Sequence, residues 1–164
     1  MKYALVTGGS RGIGRAVCVR LARMGYHVLV NCVNRTDEAE HTLELVRQEG
    51  QDGEVLKFDV GNRVQVSAVL EAWMEKHPEE YIEVLVNNAG VLGASMPNAT
   101  EEAFDKVIDT NLKGVFFLSQ LFGGYLKANK VEGNILNVGS SSCLRPATSA
   151  YTPVSYTHLT LPTT

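Results

Sequence analysis

Cysteine is scarce in this chain: three residues in 164, Cys18, Cys32 and Cys143, with no Cys-x-x-Cys pair among them. An odd, widely spaced set argues against a disulfide framework or a zinc site and fits a reducing, cytoplasmic compartment. The four histidines, His27, His41, His77 and His158, have no ligand spacing, so no metal site is expected. A surplus of basic charge is also missing, since 15 Lys and Arg stand against 18 Asp and Glu for a net charge of −3. Without a positive field, neither nucleic acid nor an anionic membrane is an expected partner. Long hydrophobic runs are absent as well. The apolar stretch at residues 3–6 is too short for a signal segment or a membrane span. Hydrophobic residues still make up 45% of the chain, which argues against disorder and supplies a core for one domain.

Short, nearly all-apolar runs at residues 3–7, 27–32, 54–58, 82–87 and 134–138 alternate with helix-period segments. Such runs suit strands covered on both faces, and the alternation predicts parallel strands joined by crossover helices. Ile13, Ala16, Val17, Leu21 and Met24 share one helical face, and Val66, Val69, Leu70, Trp73 and Met74 share another. Ala39, Leu43 and Val46 form a weaker stripe. Ile108, Leu112, Val115, Phe122 and Leu126 mark a longer helix, with its break expected after Gly123-Gly124. The expected fold is a single α/β domain with a doubly wound parallel sheet.

The segment Thr7-Gly8-Gly9-Ser10-Arg11-Gly12-Ile13-Gly14 follows the first expected strand and opens the first expected helix. Backbone amides at a helix N-terminus point at an anion, and missing side chains let a pyrophosphate come close. A glycine turn can join any strand to any helix, but this placement in a strand–turn–helix unit favours dinucleotide binding. Gly8, Ser10, Arg11, Gly12, Ile13 and Gly14 are therefore cofactor-binding candidates. At the end of the second strand, where a carboxylate would hold the ribose 2′-hydroxyl of NAD, the chain has Cys32. Arg11 and Arg35 can pair instead with a 2′-phosphate, so NADP(H) is the expected cofactor.

Three further segments accompany the Thr-Gly-x-x-x-Gly-x-Gly spacing. They are Asn87-Asn88-Ala89-Gly90 after the fourth strand, Thr110-Asn111-Leu112-Lys113-Gly114 in the long helix, and Asn137-Val138-Gly139-Ser140 after the fifth strand. Together these resemble the short-chain dehydrogenase/reductase family, from residue 2 to about residue 151, and most of all its bacterial 3-oxoacyl-(acyl carrier protein) reductases. Sugar, polyol or other ketone reductases of the family are the alternative. The resemblance implies a Rossmann fold and hydride transfer between a nicotinamide and a carbonyl or alcohol carbon. It also implies a small-molecule or acyl-carrier-bound substrate and a homotetrameric parent protein. It adds Asp59, Val60, Asn87, Ala89 and Gly90 to the cofactor contacts. Its catalytic roles fall on Ser140, which would hold the carbonyl oxygen, Tyr151, which would give it a proton, and Asn111, which would anchor a water chain.

The pattern breaks after Tyr151. Where the family has a lysine, four residues on, this chain has Ser155, and no Lys or Arg follows Arg145. A nearby ammonium is what would lower the tyrosine pKa from its ordinary value of about 10. Residues 154–163, Val-Ser-Tyr-Thr-His-Leu-Thr-Leu-Pro-Thr, resemble residue for residue a translated transposase-type sequencing-library adapter. Residues 1–152 thus read as a truncated NADP-binding Rossmann domain, its sheet incomplete on the C-terminal side, and residues 153–164 as a non-native tail. On that reading the fragment binds cofactor without turnover, and assembly into the parent tetramer is not expected of it.

Overall fold

The computed structural model describes residues 1–93 and 100–140. Five strands, β1 Lys2–Val6, β2 His27–Cys32, β3 Gly53–Lys57, β4 Tyr81–Asn87 and β5 Asn134–Asn137, form one sheet in the order β3-β2-β1-β4-β5. All four pairings are parallel. Parallel neighbours need a crossover, and the helices α1 Gly12–Arg23, α2 Thr36–Gln48, α3 Arg63–Lys76, α4 Glu101–Ile108 and α5 Val115–Asn129 supply it. The chain winds outward from β1 to β3, then returns to lay β4 on the other side of β1. The winding reverses between β1 and β4, and a crevice is expected there, beyond the strand C-termini. This is the doubly wound Rossmann architecture.

Alternate residues of a strand face opposite sides, so each run feeds two cores. Leu5, Leu29, Phe58 and Leu85 pack with Leu70 and Trp73 of α3 and Leu118 and Phe122 of α5. Val6, Val28, Val30 and Val86 meet Cys18 and Leu21 of α1 and Leu43 and Val46 of α2 on the other face. Burial on both faces is why the strands are nearly all apolar rather than alternating. Each strand lies within one residue of its expected bounds.

The long helix differs from expectation. No break follows Gly123-Gly124: α5 continues to Asn129, and a Cβ at either glycine would meet open space. The irregularity lies upstream, where Asp109–Gly114 forms a π-helical segment between α4 and α5. Gly114 lies against the backbone of Val60, and a Cβ added there would come 2.9 Å from the Val60 carbonyl oxygen. Within the same segment Asn111 is drawn onto Val91. A π turn adds a residue to the helical repeat and resets which side chains face inward. Leu112, expected on the apolar stripe, is accordingly exposed. Ile13 and Met24 also leave the α1 stripe, with exposures of 66% and 59%.

Asn62 caps α3 by accepting from the Gln65 amide, and Thr100 caps α4 by accepting from the Ala103 amide. Among the described residues, no helix is long and apolar enough to cross a membrane. No group of three His, Cys, Asp or Glu able to hold a metal occurs among them either. Tyr151, Ser155 and the tail lie outside the described residues.

Candidate functional site

A cavity of about 580 Å³ opens at the C-terminal end of the sheet, bounded by the loops after β1, β2, β3 and β4. Its first wall is the glycine loop. Gly8 and Gly12 have φ of +62° and +55°, a left-handed backbone that disfavours any residue with a Cβ. Gly14 is required for another reason: a Cβ there would lie 2.3 Å from the Gly8 carbonyl oxygen and 2.6 Å from Asn88 Nδ2.

Side chains from the neighbouring strands hold this loop. Asn31, the polar residue inside otherwise apolar β2, accepts from the Gly8 amide at 3.1 Å. Its own Nδ2 donates to the Leu56 and Phe58 carbonyls at 3.1 and 2.9 Å, joining the loop to the β3 edge. Just after β4, Asn88 Nδ2 donates to the Thr7 and Gly8 carbonyls at 2.9 and 3.2 Å. Thr7 Oγ1 accepts from the amides of Asn88 and Ala89, both at 2.9 Å. The loop is thus fixed to both sides of the crevice.

Arg11 precedes the first turn of α1 as its N-cap, with an extended backbone and no side-chain cap bond. The amides of Gly12, Ile13 and Gly14 have no intrahelical acceptor, and all three residues line the cavity. With the helix dipole behind them they form an anion site. Gly12 has nothing within 4 Å of its Cβ position, so the space a side chain would fill is open. These features fit a pyrophosphate.

The second wall follows β2. Cys32 is buried, and that burial pushes its thiol pKa up, so the position carries no negative charge. Arg11 and Arg35 line the cavity, both exposed. Asp59, the carboxylate on the lining, lies 2.6 Å from Lys106 Nζ and accepts from the Gly61 amide at 2.9 Å. Burial opposes its charge, but the bond from Lys106, the Gly61 amide and the Lys106 charge overcome it and hold its pKa below the usual aspartate value. With Asp59 matched by Lys106, the two arginines leave the cavity electropositive.

Of the sequence candidates, Gly8, Ser10, Arg11, Gly12, Ile13, Gly14, Arg35, Asp59, Val60, Ala89 and Gly90 line this cavity. Asn87, Asn111 and Ser140 are not among its lining residues. Asn87 is buried, and its Nδ2 donates to Ser119 Oγ at 3.0 Å and Asn137 Oδ1 at 2.9 Å, joining β4, α5 and β5. Asn111 is buried in the π-helical segment and bonds the Val91 amide and carbonyl, both at 2.9 Å. Ser140 follows β5, whose register with β4 is extended by the Val138 amide donating to the Asn87 carbonyl. Tyr151 lies outside the described residues.

Asn31, Asn88, Lys106 and Thr110 also line the cavity and were not anticipated. Asn31 had a signal, because a polar side chain within an apolar strand needs internal partners. Lys106 had none: its salt bridge with Asp59 spans 47 residues.

The short chain dehydrogenase family profile matches residues 2–153. Over 113 residues the chain is 42% identical to the 3-oxoacyl-(acyl-carrier-protein) reductase FabG of Aggregatibacter actinomycetemcomitans, covering 68% of this chain and 46% of that protein. Its identity with FabG of Staphylococcus aureus strain Mu50 is 35% over 151 residues, covering 86% and 61% respectively. The chain therefore spans about half of these relatives' length. Among solved structures, a short chain dehydrogenase from Burkholderia cenocepacia J2315 in complex with NADP superposes with a TM-score of 0.78 at 28% identity. That match covers 91% of this chain and 59% of the other. A metagenomic short-chain oxidoreductase in complex with NADP gives 0.77 at 28% identity, over 85% and 62%. A family match over nearly the whole chain, on a fold wound and cradled in this way, means that the chain belongs to the short-chain dehydrogenase family.

Proposed function

We propose that the chain is the cofactor-binding part of an NADP(H)-dependent oxidoreductase acting on a carbonyl or alcohol carbon. One observation carries this reading: Arg11 and Arg35 border a cavity whose described carboxylate, Asp59, is already matched by Lys106. A 2′-phosphate supplies the charge those guanidiniums call for. NADP in two similar solved structures supports the same cofactor. The pyrophosphate would lie on the first-turn amides of α1, and the adenine end beside Asp59 and Val60. When bound, the nicotinamide supplies or accepts the hydride.

The remaining chemistry belongs to side chains. Ser140 would hold the substrate oxygen as charge develops on it, and Tyr151 would protonate that oxygen. Asn111, bonded to the Val91 backbone, would anchor a water chain that resupplies that proton. With Ser155 in place of a lysine, Tyr151 has no adjacent ammonium supplied from four residues on to lower its pKa. Residues 153–164 are accordingly proposed as non-native. The 164-residue chain binds nucleotide without turning substrate over, while its parent works in the cytoplasm as a homotetramer. The FabG relatives favour a 3-oxoacyl group on an acyl carrier as substrate; a sugar, polyol or other ketone is the alternative.

NADPH binding and NADPH-dependent reduction of a 3-oxoacyl thioester, measured on two proteins, test this. One is the chain itself, and the other has residues 153–164 replaced by the continuation its gene encodes. Both are expected to bind NADPH and only the second to turn over. Turnover by the first would refute the reading of the tail, and binding by neither would refute the cofactor.

A further inference from the structure

Arg15 makes a junction behind the glycine loop. One nitrogen, Nη2, donates to the Ser10 carbonyl at 2.5 Å and also to the Glu38 carboxylate, while Nε donates to Thr42 Oγ1 at 3.0 Å. Thr42 Oγ1 in turn donates to the same Ser10 carbonyl at 3.1 Å. Because one nitrogen serves both acceptors, the Glu38 carboxylate stands within two hydrogen-bond lengths of the Ser10 carbonyl. Ser10 lines the cavity next to Arg11. Glu38 lies in the first turn of α2, one helical turn on from Arg35. A carboxylate thus sits close behind the rim that carries both guanidiniums. Arg15 and Glu38 are not on the cavity lining, and their side chains are 24% and 42% exposed.

Unpaired, the Glu38 carboxylate would repel a doubly charged 2′-phosphate approaching Arg11 and Arg35, whereas a bare ribose hydroxyl would be indifferent to it. We infer that Arg15 is a positioning residue for cofactor selectivity: by pairing with Glu38 it neutralises that charge at the rim, so that a 2′-phosphorylated adenine nucleotide is preferred. The inference deepens, and rests on, the NADP(H) reading above.

The pair is neutral, Arg15→Gln leaves one negative charge, Glu38→Gln leaves one positive charge, and the double variant is neutral again. Calorimetric titration of the full chain with adenosine 2′,5′-bisphosphate and with 5′-AMP gives the ratio of the two dissociation constants for each protein. Relative to wild type, the preference for the bisphosphate should fall about fivefold at low salt in Arg15→Gln and rise by a similar factor in Glu38→Gln. It should return to the wild-type value in the double variant, and the single-variant changes should shrink as salt is added. Equal weakening of both ligands in Arg15→Gln would mean that Arg15 only props the Ser10 carbonyl, and would overturn the inference. So would a double variant as weak for the bisphosphate as Arg15→Gln, which would make Arg15 a direct ligand. If Arg15→Gln does not fold, Glu38→Gln decides alone, since an unchanged preference there refutes the masking. A wild-type chain with no preference would instead refute the NADP(H) reading itself.

Discussion

The Asn111 side chain pairs with the backbone of Val91 as another peptide would, its Nδ2 donating to the carbonyl and its Oδ1 accepting from the amide, both at 2.9 Å. The π-helical Asp109–Gly114 segment is thereby fastened to the chain that leaves β4. Asn111→Ala would strand both groups of Val91 in a part-buried setting. Chemical denaturation should show a loss of about 2–4 kcal/mol, because each buried backbone group left without a partner costs roughly 1–3 kcal/mol. A loss well under 1 kcal/mol would mean that the segment holds its place without this pairing.

Gly14 predicts a second outcome. A Cβ there meets backbone at Gly8 and the Asn88 amide group, neither of which is the flexible end of a long side chain. Gly14→Ala should destabilise the fold by about 2–3 kcal/mol, as overpacked sites do, and should weaken nucleotide binding because the loop itself must move. Thermal melts with and without 2′,5′-ADP separate the two effects. An alanine variant with wild-type stability and binding would show that the glycine loop tolerates the displacement.

The Asp59–Lys106 bridge sets a pH dependence. Asp59 has a folded pKa below its ordinary 3.8, so its contribution to stability is complete above that value and is lost as pH falls through the lower folded value. Lys106→Met removes the bond and the charge that depress the pKa and leaves the burial that raises it. The variant should therefore be less stable than wild type at pH 7, with the gap narrowing on acidification below pH 4. Urea midpoints at several pH values measure this. A gap independent of pH would show that Lys106 contributes through packing of its stem alone.

The strands, their crossovers and the glycine loop were legible because each rests on a local pattern: a short apolar run, a helical stripe, or glycines at fixed spacing. What the sequence did not disclose was long-range or depended on exact helical phase. The Asp59–Lys106 pair joins a loop to a helix 47 residues on, and no periodicity records it. A 3.6-residue repeat places Leu112 on the apolar face, and the π-helical segment interrupts that repeat. Ile13 fits the α1 stripe by spacing, yet it stands in the first turn, beyond the C-terminal end of the strands, where it lines the cavity instead of the core. Asn87 and Asn88 are adjacent and chemically alike, but strand alternation turns Asn87 toward Ser119 and Asn137 while Asn88 reaches back to the loop after β1. Only the sheet's geometry tells them apart.

On the proposed reading, Arg11 and Arg35 make this cavity a site for a 2′-phosphorylated dinucleotide. The direct measurement is the dissociation constant of NADPH against that of NADH, for the wild-type chain and for the Arg11→Ala/Arg35→Ala double variant. Charge-assisted hydrogen bonds contribute about 1.5–3 kcal/mol, so wild type should bind NADPH roughly ten- to a hundredfold more tightly than NADH. The double variant should lose that preference while keeping its affinity for NADH. Equal or tighter binding of NADH by the wild-type chain would contradict the account.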